Sequence, residues 1–251
     1  MRNSGMFLYY SFGYLTLEQE YICLEGGERA CLAYEICQNN LAFKVDTSSV
    51  NYIENWTQQM GLMCTDRSYI NAIVTGYFIA YGLAGLLLYE LPDKWGRKKT
   101  IMFFGSVHTA CQFVIIFVPN YYVRFGTFAL MGACQLKNSI SYVWLFDLVQ
   151  QKDKPIAVGV LNAWDCLTIS VVSFYFKFVS KYWFSLYLFM SLIGFASLMI
   201  LTFIIPESPK WLLHNKRREE AIYCFNVIAK INCSAHRIPE SAQFTESEAK
   251  N

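Results

Sequence analysis

The sequence predicts an all-α membrane protein, a six-helix bundle whose first helix is truncated. Three observations predict it. Hydrophobic residues make up 55% of the 251 residues and aromatics 17%, while charged residues are held to 16%, a balance too apolar for a soluble domain. Five nearly uncharged runs, Ile70 to Leu91, Ile101 to Val118, Phe125 to Val149, Ile156 to Val179 and Tyr182 to Ile205, approach the roughly 20 residues a helix needs to cross about 30 Å of hydrocarbon. Basic residues then collect in alternate connections, as the positive-inside rule requires.

The elements follow in order. Met6 to Leu17 is apolar but too short to span, and it lacks the ordered basic region, apolar core and cleavage site of a secretory signal. Residues 1–17 therefore read as a partial first helix. Residues 18–69 form a long outer segment rich in Glu18, Glu20, Glu25, Glu28 and Glu35. Cys23, Cys31, Cys37 and Cys64 all fall in it, an even set in a compartment that permits disulfides, so two disulfides are expected, with three pairings open. The other reading is free thiols in a disordered loop. Asn55-Trp-Thr57 is a glycosylation sequon on the same side. The remaining cysteines, Cys111, Cys134, Cys166, Cys224 and Cys233, lack the paired spacing of a zinc site, and no metal or cofactor is expected.

Residues 70–205 hold spans two to six. On the second, Ala72, Gly76, Ala80 and Ala84 recur every four residues, a strip that lets another helix approach closely, either within this bundle or from outside it. His108 in the third reads as a structural histidine. The fourth places Lys137 near mid-membrane, where a lone lysine costs about 2.5–3.5 kcal/mol on insertion scales. Asp165 on the fifth lies at comparable depth and is the expected ion-pair partner. Gln135, Asn138 and Tyr142 share one face of the fourth span, whereas Lys137, Ser141 and Trp144 share another. On the fifth, Asn162, Asp165, Cys166 and Ser173 form one polar stripe. Lys137, Asp165, Gln135, Asn138, Tyr142 and Asn162 are the candidate substrate residues; the alternative is polar glue between helices.

Residues 206–251 read as a cytoplasmic amphipathic helix, Lys210 to Lys230, followed by a polar tail, Ser241 to Asn251, expected to be disordered. Lys94, Arg97, Lys98, Lys99, Lys152, Lys154, Lys210, Lys216, Arg217 and Arg218 all fall on the side assigned to the cytoplasm. No run of basic residues interleaved with aromatics suggests nucleic acid.

Two charged segments carry a family resemblance: Pro92-Asp-Lys-Trp-Gly-Arg-Lys-Lys-Thr100 between the second and third spans, and Pro206-Glu-Ser-Pro-Lys-Trp-Leu-Leu213 after the last. They resemble the signature loops of the major facilitator superfamily. Together with the outer loop closing on Trp56 to Cys64 and the span end Tyr142 to Asp147, they resemble its organic cation/organic anion transporter branch, and sugar porters share the last landmark. The resemblance implies the first of two six-helix halves, with the first loop acting as a latch on the cytoplasmic side. Asp93, Gly96, Arg97, Asp147, Glu207 and Lys210 are the candidate latch residues. Gly96 suits a tight turn, and Asp147 is the natural carboxylate for the forked guanidinium of Arg97. Lys98 and Lys99 read as anchors at the lipid surface. The sequence departs from the family pattern at Tyr89, where a small glycine is usual, at Phe128, where an arginine usually precedes Gly132 by one turn, and at Lys210, where arginine is usual.

The function implied is transport of a small organic solute by alternating access in the plasma membrane. The alternatives are a non-transporting half-transporter that serves as a binding or regulatory subunit, and a sugar transporter. The implied partners are the solute, the bilayer, and a second six-helix half or a homodimer. An enzyme is not expected, since no nucleophile elbow, metal-ligand cluster or phosphate loop is present.

Overall fold

The computed structural model describes residues 7–25, 27–235 and 237–239. The polar tail Ser241 to Asn251 lies outside the described residues. The chain starts helical at residues 7–10 and continues through α1 (Phe12–Leu15), burying Phe7, Leu8, Phe12 and Leu15 in the bundle.

The acidic segment is not all-α. It holds a three-stranded antiparallel sheet, β1 (Tyr21–Cys23), β2 (Arg29–Cys31) and, after α2 (Ala33–Asn39), β3 (Phe43–Val45), in the order β2-β1-β3. These strands are three residues each, too short for a periodicity of two to show in the sequence. The disulfides are Cys23–Cys31, across the β1–β2 hairpin, and Cys37–Cys64, which ties α2 to the entry of the second span. Their Cα separations of 5.9 and 5.6 Å are ordinary for the bond.

Asn55, the expected glycan site, is drawn into the fold. It is wholly buried, and its Oδ1 caps α3 (Trp56–Gln59) by accepting from the Gln58 N–H. Its Nδ2 donates to the Leu17 and Tyr14 carbonyls at 2.8 and 3.2 Å. The nitrogen a glycan would need is already engaged inside the protein. The sequon is a three-residue pattern, and the packing that consumes it comes from a helix some 40 positions away.

The bundle comprises α4 (Arg67–Leu87), α5 (Leu91–Trp95), α6 (Arg97–Phe117), α7 (Tyr121–Cys134), α8 (Leu136–Leu148), α9 (Lys154–Phe174) and α10 (Trp183–Phe203). Asp66 caps α4 through the Ser68 N–H at 2.6 Å, which holds its carboxyl below the usual range. Asn120 caps α7. Among the described residues, four segments are long and apolar enough to cross a membrane: α4, α6, α9 with its flanks (Gln151–Val179) and α10. The fourth span, expected as one helix, is jointed at Gln135. There the bonds tighten to three-residue spacing, Gln135 N–H to the Gly132 carbonyl and Asn138 N–H to the Gln135 carbonyl, which interrupts the regular α-helical ladder.

The reason lies one turn earlier. A Cβ on Gly132 would overlap the Tyr77 carbonyl and Cα, so α4 and α7 meet backbone to backbone. The small strip of α4 is used in the same contact: Gly76 faces Phe125 and Ala129. Of the two readings of that strip, packing within this bundle is the one observed. Past the last span, the expected single helix is a hairpin, α11 (Pro209–His214) and α12 (Arg218–Ile231), broken where Lys216 takes φ +59°. Trp211, Leu212, Ala221 and Cys224 form its small core.

Two outcomes follow. Gly132→Ala is expected to destabilise the purified protein by about 1–3 kcal/mol through overpacking, whereas Gly126→Ala, where a Cβ meets nothing within 4 Å, is expected to be neutral or stabilising by up to about 1 kcal/mol; thermal unfolding in detergent compares them. Glycosidase treatment of the protein expressed in eukaryotic cells is expected to leave its electrophoretic mobility unchanged, while Asn55→Ala costs about 0.5–2 kcal/mol through the lost cap alone.

Candidate functional site

At the basic end, the loop before α6 and the segment after α10 form one cluster. Gly96 has φ +104°, and a Cβ there would lie 2.6 Å from Glu207 Oε2, so glycine is required both by the turn and by the carboxylate. Glu207 Oε1 accepts from the Lys98 N–H at 2.8 Å and from the neighbouring Ser208 N–H at 3.0 Å; the first bond satisfies a donor that the first turn of α6 leaves open and places negative charge at its positive end. Lys98 Nζ donates to the Thr202 carbonyl at 2.9 Å. It ties the third span to the sixth and is not merely a lipid-surface anchor; Lys99 remains exposed.

Arg97 forms an ion pair with Asp147 at the end of α8, and Asp147 Oδ2 also accepts from Ser208 Oγ at 2.6 Å. Trp211 Nε1 donates to the Asp93 carbonyl at 2.7 Å; the Asp93 side chain is exposed in the first turn of α5. Burial pushes the Lys210 ammonium below its usual range, and the cations of Lys154 and Arg97 push the same way. All six expected latch residues therefore sit around the ends of three spans.

Deeper in the bundle, the structure divides the expected substrate residues. Asn138 Nδ2 donates to Gln135 Oε1 at 2.6 Å, and Tyr142 OH donates to Asn162 Oδ1 at 3.0 Å. The Tyr77 hydroxyl also hydrogen-bonds Gln135. Asn162 and Cys166 are exposed and Asp165 half-buried on α9, so the stripe of the fifth span lies on an open side, bridged to the fourth by Tyr142. Lys137 is elsewhere. It is 2% exposed and its Nζ makes no hydrogen bond; the expected pair with Asp165 is not formed. Its side chain runs toward Cys111 of α6 and Cys134 of α7. Depth was readable from the sequence; direction around a jointed helix was not.

The Major Facilitator Superfamily profile matches residues 39–245. The chain belongs to the Major Facilitator Superfamily. It is similar to mouse solute carrier family 22 member 4, 28% identical over 202 residues covering 80% of this chain and 36% of that protein. Human organic cation/carnitine transporter 2 is 25% identical over 204 residues, covering 80% and 35%. A Drosophila melanogaster β-alanine transporter is 26% identical over 201 residues, covering 78% and 32%. The chain thus spans about a third of the length of the curated relatives it matches. The superfamily is one of multi-pass membrane transporters rather than of enzymes.

One residue of this superfamily member escaped the sequence reading. Arg124, one turn before the wholly buried Phe128, is itself 0% exposed. Its Nη2 donates to Gln59 Oε1 at 2.7 Å, and its guanidinium lies 4.6 Å from the Trp56 ring centroid and 5.5 Å from that of Trp183. The arrangement pins α3 of the disulfide-bonded segment onto the fourth and sixth spans through cation–π contacts. Arg124 stands just before the apolar run that begins at Phe125; the signal for it was the pair of distant tryptophans, which no local pattern connects.

Reversing either charge of the Arg97–Asp147 pair is expected to destabilise the protein, and reversing both to recover part of the loss, with a coupling of about 0.5–3 kcal/mol. A double-mutant cycle on thermal unfolding in detergent measures it; strictly additive losses would reduce Arg97 to a positional anchor.

Proposed function

We propose that this chain is the solute-binding half of an alternating-access carrier for small, amine-bearing organic solutes. The supporting observation is the polar stripe of Asn162 and Asp165 on the open side of the bundle, joined by Tyr142 to the fourth span, where Gln135 and Asn138 lie buried behind it. With Lys137 turned away from the stripe, the charge this face carries is the carboxylate of Asp165, which suits a cationic nitrogen. The relatives' names, an organic cation/carnitine transporter and a β-alanine transporter, both denote carriers of solutes with such a nitrogen and favour this reading over a sugar.

In this reading the disulfide-bonded segment faces outward and the basic end inward at the plasma membrane. A second six-helix half closes the solute path across the open face. Arg97, Asp147, Ser208 and Glu207 hold the inner ends of the third, fourth and sixth spans as one rigid unit, so that the half moves as a body against its partner.

The test is equilibrium binding of radiolabelled tetraethylammonium to the purified chain in nanodiscs, followed by uptake in cells expressing it alone or with a second half. Asp165→Asn is expected to weaken binding at least about tenfold, or roughly 1.4 kcal/mol. Undiminished binding by Asp165→Asn would overturn the assignment of the face. Binding without uptake in either setting would favour the non-transporting, regulatory half.

A further inference from the structure

A cavity of about 610 Å3 lies at the basic end, between the start of α6, the end of α10 and the α11–α12 hairpin. Two kinds of wall enclose it. Met102 of α6 and Thr202 of α10 belong to the spans, together with Lys98 and Lys99 in the first turn of α6, whereas Arg217, Glu219 and Tyr223 belong to the hairpin beyond them. The cavity therefore runs from the ends of the third and sixth spans outward to a charged floor.

Cations and carboxylates both line it, and half of them are engaged inside the protein. Glu207 accepts from the Lys98 and Ser208 N–H groups, and Arg217 gives two bonds to Glu220, at 2.7 and 2.6 Å. Lys98, Lys99 and Glu219 remain. Lys98 Nζ donates to the Thr202 carbonyl at 2.9 Å, which uses one of its three protons and neutralises none of its charge. Lys99 and Glu219 are exposed and have no ionic partner among the described residues. The two ammonium groups stand at the positive end of α6, where a cation is disfavoured, and Asp147 answers only Arg97 beside them. The unanswered charges are thus two cations on the span wall and one carboxylate on the hairpin wall.

We infer that this cavity takes the headgroup of an aminophospholipid from the inner leaflet, its phosphate on Lys98 and Lys99 and its primary ammonium on Glu219, with the glycerol end against Met102 and Thr202. Phosphate first and amine second, counted outward from the acyl chains, is the order in which the spans and the hairpin present their charges. A choline headgroup has no N–H to give the carboxylate, and a purely anionic headgroup sets its own charge against Glu219. The inference uses the placement of the spans in a bilayer, proposed above, and not the identity of the solute.

The experiment titrates the purified, delipidated full chain in detergent micelles with phosphatidylethanolamine, phosphatidylglycerol and phosphatidylcholine of matched acyl chains, counting bound lipid by native mass spectrometry. Phosphatidylethanolamine is expected to bind first and to saturate one site. General attraction of basic residues to an acidic surface would instead put phosphatidylglycerol first; that order, or equal binding of phosphatidylcholine, would overturn the inference. Lys99→Gln is expected to weaken phosphatidylethanolamine binding about threefold or more. Glu219→Gln is expected to weaken it similarly while strengthening phosphatidylglycerol, and Glu219→Lys to invert the preference. Both positions are exposed, and thermal unfolding of the same samples checks folding without recourse to the solute face. Soluble phosphoethanolamine separates a lipid from a free phosphate ester: it is expected to leave the bound lipid in place, and displacement at concentrations equal to the lipid's would overturn the lipid assignment. Undiminished phosphatidylethanolamine binding by both Lys99→Gln and Glu219→Gln would overturn the site itself.

Discussion

The second and fourth spans touch backbone to backbone at Gly132, where the Tyr77 carbonyl occupies the space of a side chain, and the polar face depends on that contact. It brings Tyr77 within hydrogen-bonding reach of Gln135, one residue before the start of α8. The joint in turn carries Asn138 and Tyr142 toward the fifth span, where Tyr142 meets Asn162, and turns Lys137 inward. In a bilayer, where no water relieves an unmet donor, a span leaves helical geometry only where protein satisfies the freed groups. Here the Gln135 and Asn138 side chains bond each other across the joint.

The ends of the bundle are fixed by charge of opposite kinds. At the basic end two carboxylates, Glu207 and Asp147, receive a helix N-terminus, a guanidinium and the hydroxyl of Ser208. At the disulfide end a guanidinium, Arg124, is held by two indoles and one amide oxygen. The first cluster joins spans to each other; the second joins a folded outer segment to the spans. A movement at either end is therefore felt by the fourth span, which has Asp147 at one end and Arg124 at the other.

Much of this was legible in the sequence, and the division between what was and what was not follows physical lines. Span positions follow from the length and apolarity of runs, and the structure departs from them by a few residues at most ends. The meeting of Arg97 with Asp147 was accessible because both residues lie at span ends on the same side, where few partners compete. Directions around helix axes were not accessible. Lys137 and Asp165 read as equal in depth, yet Lys137 runs toward Cys111 and Cys134 and the pair does not form. The fate of Asn55 was hidden for a different reason, since a tripeptide pattern says nothing of the carbonyls that a distant helix presents to it. The cysteine pairing required the hairpin that places Cys23 against Cys31, and the strands of that hairpin are too short to announce themselves.

The central claim is that the stripe on the fifth span borders water and solute rather than lipid. Native cysteines test it without substitution: Cys166 lies exposed on the stripe, Cys111 and Cys134 are buried, and Cys233 is exposed beyond the last helix. The measurement is the modification rate of each thiol by a charged methanethiosulfonate reagent in nanodiscs, read by peptide mass spectrometry with and without tetraethylammonium. Reaction at Cys166 that tetraethylammonium slows, with Cys233 reacting at an unchanged rate and Cys111 and Cys134 silent until denaturation, is the result predicted. A Cys166 that stays unreacted while Cys233 is modified, or that reacts at the same rate with and without the solute, would contradict it.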